Sequence, residues 1–278
     1  MNRLRWSHDL EGLIEMAKEV DDAGLYSVLL TYGSTGTDYM MLLPDLIKET
    51  KNIKFMMALR PYSLTPEYAA KMFKTIKLNY GDRVALNLVA GKFSGDWEEN
   101  FTLKNFPYDS SLINSVDKRI QLTDLWAEKF FYIMRGGFEN VIDLKFENWP
   151  ETYTISNSPL TVNLGNKHAD YLICEMHTLD SALSLIKDKK IVLIIDPLIR
   201  ETEEELSEEI EYVYNPINRT NKENIVGTIK NEHNIKGNMD SVIKQLKKIS
   251  EQYGINDFMI VTNQKNLKPI FNLVKTLS

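Results

Sequence analysis

The sequence predicts an α/β fold of the (β/α)8 barrel type, formed as one domain over residues 1–278. Short apolar runs typical of buried strands alternate along the chain with amphipathic segments typical of helices. Six or seven of the predicted strands are clearly marked by this pattern, and the chain contains no internal repeat. This alternation favours a parallel barrel, here with some elements shortened or missing, over a doubly wound sheet.

Residues 55–91 carry the clearest part of this pattern. Phe55–Leu59 is an apolar run of strand length, and Pro61 ends it because proline lacks a backbone donor. Thr65 then offers an N-cap hydroxyl directly before a proline, which is a typical helix start. After that helix, Val84–Val89 is a second apolar strand. Two parallel strands joined by a helix form a right-handed βαβ unit.

The same two periodicities predict the other elements. Predicted helices span Leu10–Ala23, Asp38–Thr50, Val116–Met134, Thr178–Lys187, Glu201–Tyr214 and Leu267–Leu277, and one more is capped by Asn238 or Asp240 and ends at Gly254. Predicted strands span Tyr26–Thr31, Leu160–Leu164, Tyr171–Cys174, Lys190–Leu198, Ile225–Ile229 and Asp257–Thr262, with Met1–Trp6 as a short, basic candidate for a first strand.

Composition excludes several classes of protein. The net charge is −6 and the pI is about 5.4, whereas nucleic-acid binding needs a basic surface.

Cys174 is the one cysteine, which rules out an internal disulfide and suits a reducing compartment. It lies in an apolar run, so we interpret it as a buried, inert thiol. No apolar run reaches about 18 residues and no signal-peptide pattern is present, so we expect a cytoplasmic protein without a membrane segment.

Polar residues stand near the ends of the two strands of the βαβ unit. Arg60 ends the first strand, and Asn87 lies within the second. The carboxyl ends of strands are where barrels form their active sites. Spacing alone leaves two readings about equal: a site, or residues that cap turns and satisfy backbone groups. The same choice applies to the small polar turn 32–37 after the strand Tyr26–Thr31.

Three motifs in this unit resemble one family. They are ALRP at 58–61, TPEYAA at 65–70 and ALNLVAG at 85–91. In order and spacing they are similar to the bacterial luciferase-like flavin monooxygenases, nearest the alkanesulfonate monooxygenase branch. The resemblance implies FMN as the cofactor, used as FMNH2 that a separate NAD(P)H-dependent flavin reductase delivers. It also implies dioxygen and a small organic molecule as substrates.

The resemblance further implies site residues, although it identifies no catalytic residue and no metal site in this sequence. Flavin contacts are expected at Ala58, Asn87, Val89 and Gly91 near the ring and at Gly165 and Asn166 near the phosphate; substrate contacts are expected at Tyr32 and Arg60. A homodimer is also implied, with apolar faces at Leu13/Met16 and Met40/Met41 as contributors.

The chain departs from the family pattern at three places. The sequence shows no helix after the predicted strand Leu160–Leu164, where the family has one. Ile194 and Asp196 stand where the branch has arginine and histidine, and Ile120 stands where a tyrosine is frequent. An alternative is therefore a non-catalytic flavin-binding paralogue or the inactive subunit of a heterodimer. A third reading is a hydride transferase of the same superfamily that uses a deazaflavin.

Overall fold

The computed structural model describes residues 10–31, 38–90, 103–104, 109–136, 150–214, 235–261 and 266–277. The predictions made for Met1–Trp6, for the turn 32–37 and for the strand Ile225–Ile229 lie outside these residues.

The described helices and strands alternate along most of the chain, as the sequence predicts except around residues 160–164. The helices are α1 Leu10–Asp22, α2 Tyr39–Lys48, α3 Pro66–Tyr80, α4 Val116–Met134, α5 Pro159–His168, α6 Leu179–Leu183, α7 Glu203–Tyr214, α8 Met239–Tyr253 and α9 Lys268–Leu277. The strands are β1 Ser27–Leu30, β2 Lys54–Leu59, β3 Val84–Leu88, β4 Glu151–Ile155, β5 Tyr171–Glu175, β6 Lys190–Ile195, β7 Leu198–Ile199, β8 Lys236–Gly237 and β9 Asp257–Ile260. No described helix is long and apolar enough to cross a membrane.

Seven strands form one parallel sheet in the order β1-β2-β3-β4-β5-β6-β9. Strands β7 and β8 pair with each other, parallel, in a separate sheet of two. The predicted βαβ unit is confirmed, because β2 and β3 are adjacent and parallel, with Phe55 opposite Val84 and Ala58 opposite Asn87. The register aligns the carboxyl ends of these strands at one edge of the sheet.

The sheet is curled, with one face turned inward. Met56, Tyr153, Val192 and Met259 come from four strands across the sheet and pack in one buried cluster. The opposite face carries the alternate residues, such as Phe55 on β2, and packs against the helices. An α/β fold with a curled parallel sheet of this kind is the predicted barrel type in shortened form.

The helix-facing side holds most of the aromatic core. The rings of Phe73 on α3 and Phe130 on α4 meet edge to face at 5.8 Å, and Trp126 stacks on Phe130 at 5.0 Å. Trp126 Nε1 also donates to the Leu64 carbonyl at 2.7 Å. Leu13 on α1 is fully buried in this core. Its predicted contribution to a dimer surface is therefore wrong, because its side chain is already covered within the chain.

One predicted strand is a helix. Leu160–Leu164 lies within α5, and the strand of this region is β4, which ends at Ile155. Leu160, Val162 and Leu164 alternate as in a strand, but Ser158 and Pro159 set a helix start that overrides the alternation. The helix of the family pattern that the sequence did not reveal is thus α5 itself.

Candidate functional site

Four buried polar residues stand at the carboxyl ends of four strands. Arg60 follows β2, Asn87 lies near the end of β3, Ser156 follows β4 and Asp196 follows β6. Their exposed fractions are 8%, 1%, 0% and 7%. We call these four residues the buried polar zone, because they lie along one edge of the curled sheet, at the place where barrels form active sites.

Two atoms in this zone are without a hydrogen-bond partner among the residues that the structure describes. They are Asn87 Oδ1 and Ser156 Oγ, and both are inaccessible to solvent. A buried polar atom left unsatisfied costs about 1–3 kcal/mol. Native proteins rarely accept this cost without a reason, and a bound ligand is one such reason.

Strand alternation places Asn87 on the inward face. Ala85, two residues earlier, packs in the inner cluster, whereas Leu86 and Leu88 pack against the helices. Ala58 is the partner of Asn87 on β2 and is half-buried. Val89 is also half-buried, and its N–H donates to the Leu59 carbonyl at 3.0 Å. The structure thus brings Ala58, Asn87 and Val89 together, whereas Tyr32 and Gly91 lie outside the described residues.

The backbone of Arg60 starts a turn, and its side chain places a positive charge at the carboxyl end of β2. Its carbonyl accepts from the N–H and the hydroxyl of Ser63, at 2.9 and 2.6 Å, and so starts the turn Pro61–Ser63. Its guanidinium is buried at the end of β2, whereas Asp196 places a carboxyl group at the end of β6. The zone therefore contains one cationic and one acidic side chain on different strands, suited to orienting a polar substrate.

Gly165 and Asn166, which the resemblance places near the flavin phosphate, lie in the second half of α5 and not at its amino end. A Cβ at Gly165 would approach Thr154 Cγ2 to 2.7 Å, so glycine here permits close packing of helix on strand. Asn166 Nδ2 donates to the Leu185 carbonyl at 2.8 Å, and its Oδ1 accepts from Lys187 N–H at 3.0 Å. The end of a helix also carries partial negative charge, which disfavours a phosphate.

The amino end of α5 is the element that fits a phosphate in position, since it directly follows β4. Most backbone N–H groups at this amino end, however, already donate hydrogen bonds within the chain. Ser158 Oγ accepts from Thr161 N–H at 3.3 Å, and Thr161 Oγ1 accepts from the N–H groups of Asn157 and Ser158 at 3.1 and 3.0 Å. Pro159 has no N–H. Within this first turn, these contacts leave the Leu160 N–H for a ligand.

Two basic residues at the end of α5 face α4 instead. Lys167 Nζ lies 3.0 Å from Asp124 Oδ1 and also pairs with Glu128. His168 Nε2 lies 2.5 Å from the same Asp124 oxygen. Burial lowers the pKa of His168 despite the neighbouring carboxylate. These contacts connect α5 with α4, so the two basic side chains are not directed at a phosphate.

Sequence reasoning missed three polar residues at this edge of the sheet: Ser156, Glu175 and His177. Glu175 ends β5, and its Oε2 lies 3.3 Å from His177 Nε2. Both were passed over because the apolar run ends one residue earlier, at Cys174. Cys174 is buried as predicted, and burial raises the pKa of its thiol to about 11, which keeps it protonated. Among the described residues, no cluster of His, Cys, Asp or Glu could hold a metal ion.

Comparison with protein families gives one match across most of the chain. The family model described as luciferase-like monooxygenase matches residues 3–252. This covers the βαβ unit, the curled sheet up to β6 and nearly all of α8. It supports the family without singling out the alkanesulfonate branch, which stays a prediction.

Solved structures agree on the fold. The EDTA monooxygenase of Chelativorans sp. BNC1 has a TM-score of 0.73 at 13% identity, over 97% of this chain and 86% of that one. The oxygenating constituent of a Pseudomonas putida diketocamphane monooxygenase, solved with FMN, has a TM-score of 0.68 at 14% identity, over 99% and 94%. An F420-dependent secondary alcohol dehydrogenase has a TM-score of 0.69 at 13% identity, over 97% and 94%. Similar chains thus include proteins with either type of cofactor.

Proposed function

This chain belongs to the luciferase-like monooxygenase family, and on that premise we propose that it is a monooxygenase that uses reduced FMN. A separate NAD(P)H-dependent flavin reductase would supply the FMNH2, and a small organic molecule would be oxidised. The observation that carries the proposal is the buried polar zone at the carboxyl ends of β2, β3, β4 and β6, with unsatisfied atoms on Asn87 and Ser156.

The residues present fit a flavin ring better than they fit its phosphate. Asn87 offers an amide on the inward face, next to the small side chain of Ala58 and the half-buried Val89. A small side chain lets a flat ring approach the sheet, and the amide matches the polar edge of such a ring. At the start of α5, by contrast, the capping contacts leave few donors for a phosphate.

The bound flavin supplies the redox chemistry with dioxygen, and the chain's own residues bind, orient and exclude water. Arg60 and Asp196 would orient the substrate, because they are buried at the ends of β2 and β6. The carboxylate of Glu175 lies beside the imidazole of His177 and is available to hold or move a proton.

Two features favour a second candidate, a flavin-binding subunit without turnover. Asp196 replaces the imidazole that the resemblance leads one to expect on β6. The closed cap of α5 also limits phosphate binding. A deazaflavin cofactor is the third candidate, since similar structures include an F420-dependent enzyme.

Anaerobic titration tests these candidates together. The protein is titrated with FMNH2, with reduced riboflavin and with reduced F420, and the binding of each is followed by fluorescence or calorimetry. We expect saturable binding of FMNH2 and only a small advantage of FMNH2 over reduced riboflavin. Admission of oxygen with a flavin reductase and candidate substrates then separates a monooxygenase from a non-catalytic binder. Saturable binding of F420 alone would contradict the proposal.

A further inference from the structure

A cavity of about 350 Å³ lies at the other end of the curled sheet, near the amino ends of the strands. The side chains that form its walls include Tyr26, Met56, Tyr153, Tyr171, Val192 and Met259. It lies between the start of β1 and β9, which are the two edges of the main sheet in the described part of the chain. Barrel interiors are normally filled by layers of side chains, and about 300–1,000 Å³ is the usual size of a ligand pocket.

The walls suit a flat ring. Tyr153 and Tyr171 stack with ring centroids 4.6 Å apart and an angle of 11° between the rings. Met56 and Met259 add thioethers, which make favourable contacts with aromatic rings and adapt to irregular shapes. Val192 completes an apolar surface, with an exposed fraction of 7%. An aromatic ligand would extend the existing stack.

The charges around the cavity cancel locally. Lys54 Nζ lies 3.2 Å from Glu151 Oε2 and donates to the Tyr26 hydroxyl at 2.6 Å. Lys190 Nζ donates to the Tyr171 hydroxyl at 3.3 Å, and Asp257 adds the second carboxylate. Two cations therefore face two carboxylates. A charged ligand would gain little here and would lose its hydration, so the site favours an uncharged molecule.

The strand edges add hydrogen-bonding groups. The Tyr26 carbonyl accepts from Lys54 N–H at 3.0 Å, so the backbone groups of the next residue, Ser27, point away from β2. Val261 N–H donates to the Ile195 carbonyl at 2.8 Å, so the groups of Ile260 point away from β6. Both residues line the cavity. With respect to the described residues, a ligand with one hydroxyl group would find a backbone donor or acceptor at either edge.

We propose that this cavity binds a small, uncharged aromatic molecule of the phenol class, at a site separate from the carboxyl-end zone. The proposal does not depend on the flavin, because none of the residues proposed to contact the flavin lines the cavity.

The two methionines make the site observable. The protein is labelled with ¹³C-methyl methionine and titrated with p-cresol, and the Met56 and Met259 signals are assigned with Met56→Leu and Met259→Leu. Ring-current shifts should be saturable for these two methyl groups and small for the other methionines. Toluene, which lacks the hydroxyl, and benzoate and benzylamine, which carry charge, should each bind more weakly than p-cresol.

Val192→Phe fills the cavity and should weaken p-cresol binding at least about tenfold. Asn87→Leu, at the other end of the inward face, should leave it unchanged. If Val192→Phe does not fold, as judged by thermal unfolding, Val192→Leu serves with a smaller expected loss. The proposal is overturned if no saturable shift appears at millimolar p-cresol. It is equally overturned if the folded Val192 variant binds like the wild type, or if binding is lost in Asn87→Leu.

Discussion

The two ends of the main sheet differ in how their polar side chains are paired. At the amino end, Lys54, Glu151 and Tyr26 satisfy one another, with contacts of 2.6–3.2 Å. At the carboxyl end, Asn87 Oδ1 and Ser156 Oγ are buried without a hydrogen-bond partner among the described residues. The amino end thus uses these three side chains to stabilise the fold, whereas the carboxyl end has buried polar atoms that our proposal assigns to ligand binding.

Because of this difference, substitutions at the two ends of the sheet should change different quantities. Substitutions in the amino-end network should lower the free energy of unfolding and leave flavin binding unchanged. Substitutions of the unsatisfied atoms should do the reverse, because in the free protein these atoms contribute a cost.

The largest effect is expected for Glu151→Ala. It leaves the Lys54 ammonium, whose side chain is 23% exposed, without its carboxylate, and it removes the acceptor of the Tyr26 hydroxyl. The free energy of unfolding, measured in urea, should fall by about 2–3 kcal/mol. Glu49→Ala is the matched control, because the Lys18–Glu49 pair is almost half exposed and should contribute no more than about 1 kcal/mol. Equal losses in the two variants would contradict the comparison.

The next effect concerns Gly165→Ala, which tests whether this glycine serves packing. Its Cβ would lie 2.7 Å from Thr154 Cγ2 and 2.9 Å from Leu172 Cγ. Such overpacking should cost about 1–3 kcal/mol of unfolding free energy. Adding Thr154→Ser removes Cγ2 but keeps the hydroxyl that donates to the Leu88 carbonyl, so it should restore part of the loss. A loss of FMNH2 affinity without any loss of stability would instead support the phosphate role.

Local signals in the sequence were sufficient for the βαβ unit. Thr65 caps α3 as predicted and accepts from Tyr68 N–H at 3.3 Å. Alternation along β3 agrees with the packing, since Ala85 lies in the inner cluster and Leu86 and Leu88 pack against the helices. These features depend on neighbours in the chain, which a sequence reveals directly.

Strand β4 was missed because its buried residues include threonines. Thr152 and Thr154 are each 1% exposed and donate to the carbonyls of Pro150 and Leu88. A sequence does not show that these hydroxyl groups are satisfied, in the case of Thr154 by a carbonyl on another strand, so the segment Glu151–Ile155 is too polar to be predicted as a buried strand. Ser156, which is fully buried directly after β4, was missed for the same reason. Arg60, Asn87 and Asp196 could be noticed from the sequence, but their common burial could not.

The third prediction is that Asn87→Leu lowers affinity for FMNH2 by about 1–3 kcal/mol. Leucine is close in volume and removes an unsatisfied Oδ1, so the melting temperature of the free protein should stay the same or rise. Anaerobic calorimetry and thermal unfolding measure the two quantities on one sample. Leu88→Met, on the helix-facing side of the same strand, is the control that should leave flavin affinity unchanged. Unchanged affinity in Asn87→Leu would remove Asn87 from the flavin contacts.

The smallest effect is the alkaline pH dependence of the amino-end network. Burial alone would lower the pKa of Lys54, but the Tyr26 hydroxyl and the Glu151 carboxylate outweigh it, so that the pKa is raised above its usual value. A raised lysine pKa contributes stability that is complete below the unfolded-state pKa, about 10.4, and is lost as the pH rises through the folded-state value. Lys54→Met should therefore be less stable than the wild type at pH 8, and the difference, of order 1 kcal/mol, should shrink as the pH rises above about 10. Urea unfolding of both proteins between neutral and alkaline pH measures it. A difference that stays constant over this range would show that Lys54 acts through the packing of its methylene groups. The contrast between the two ends of the sheet would then depend on Glu151 and Tyr26.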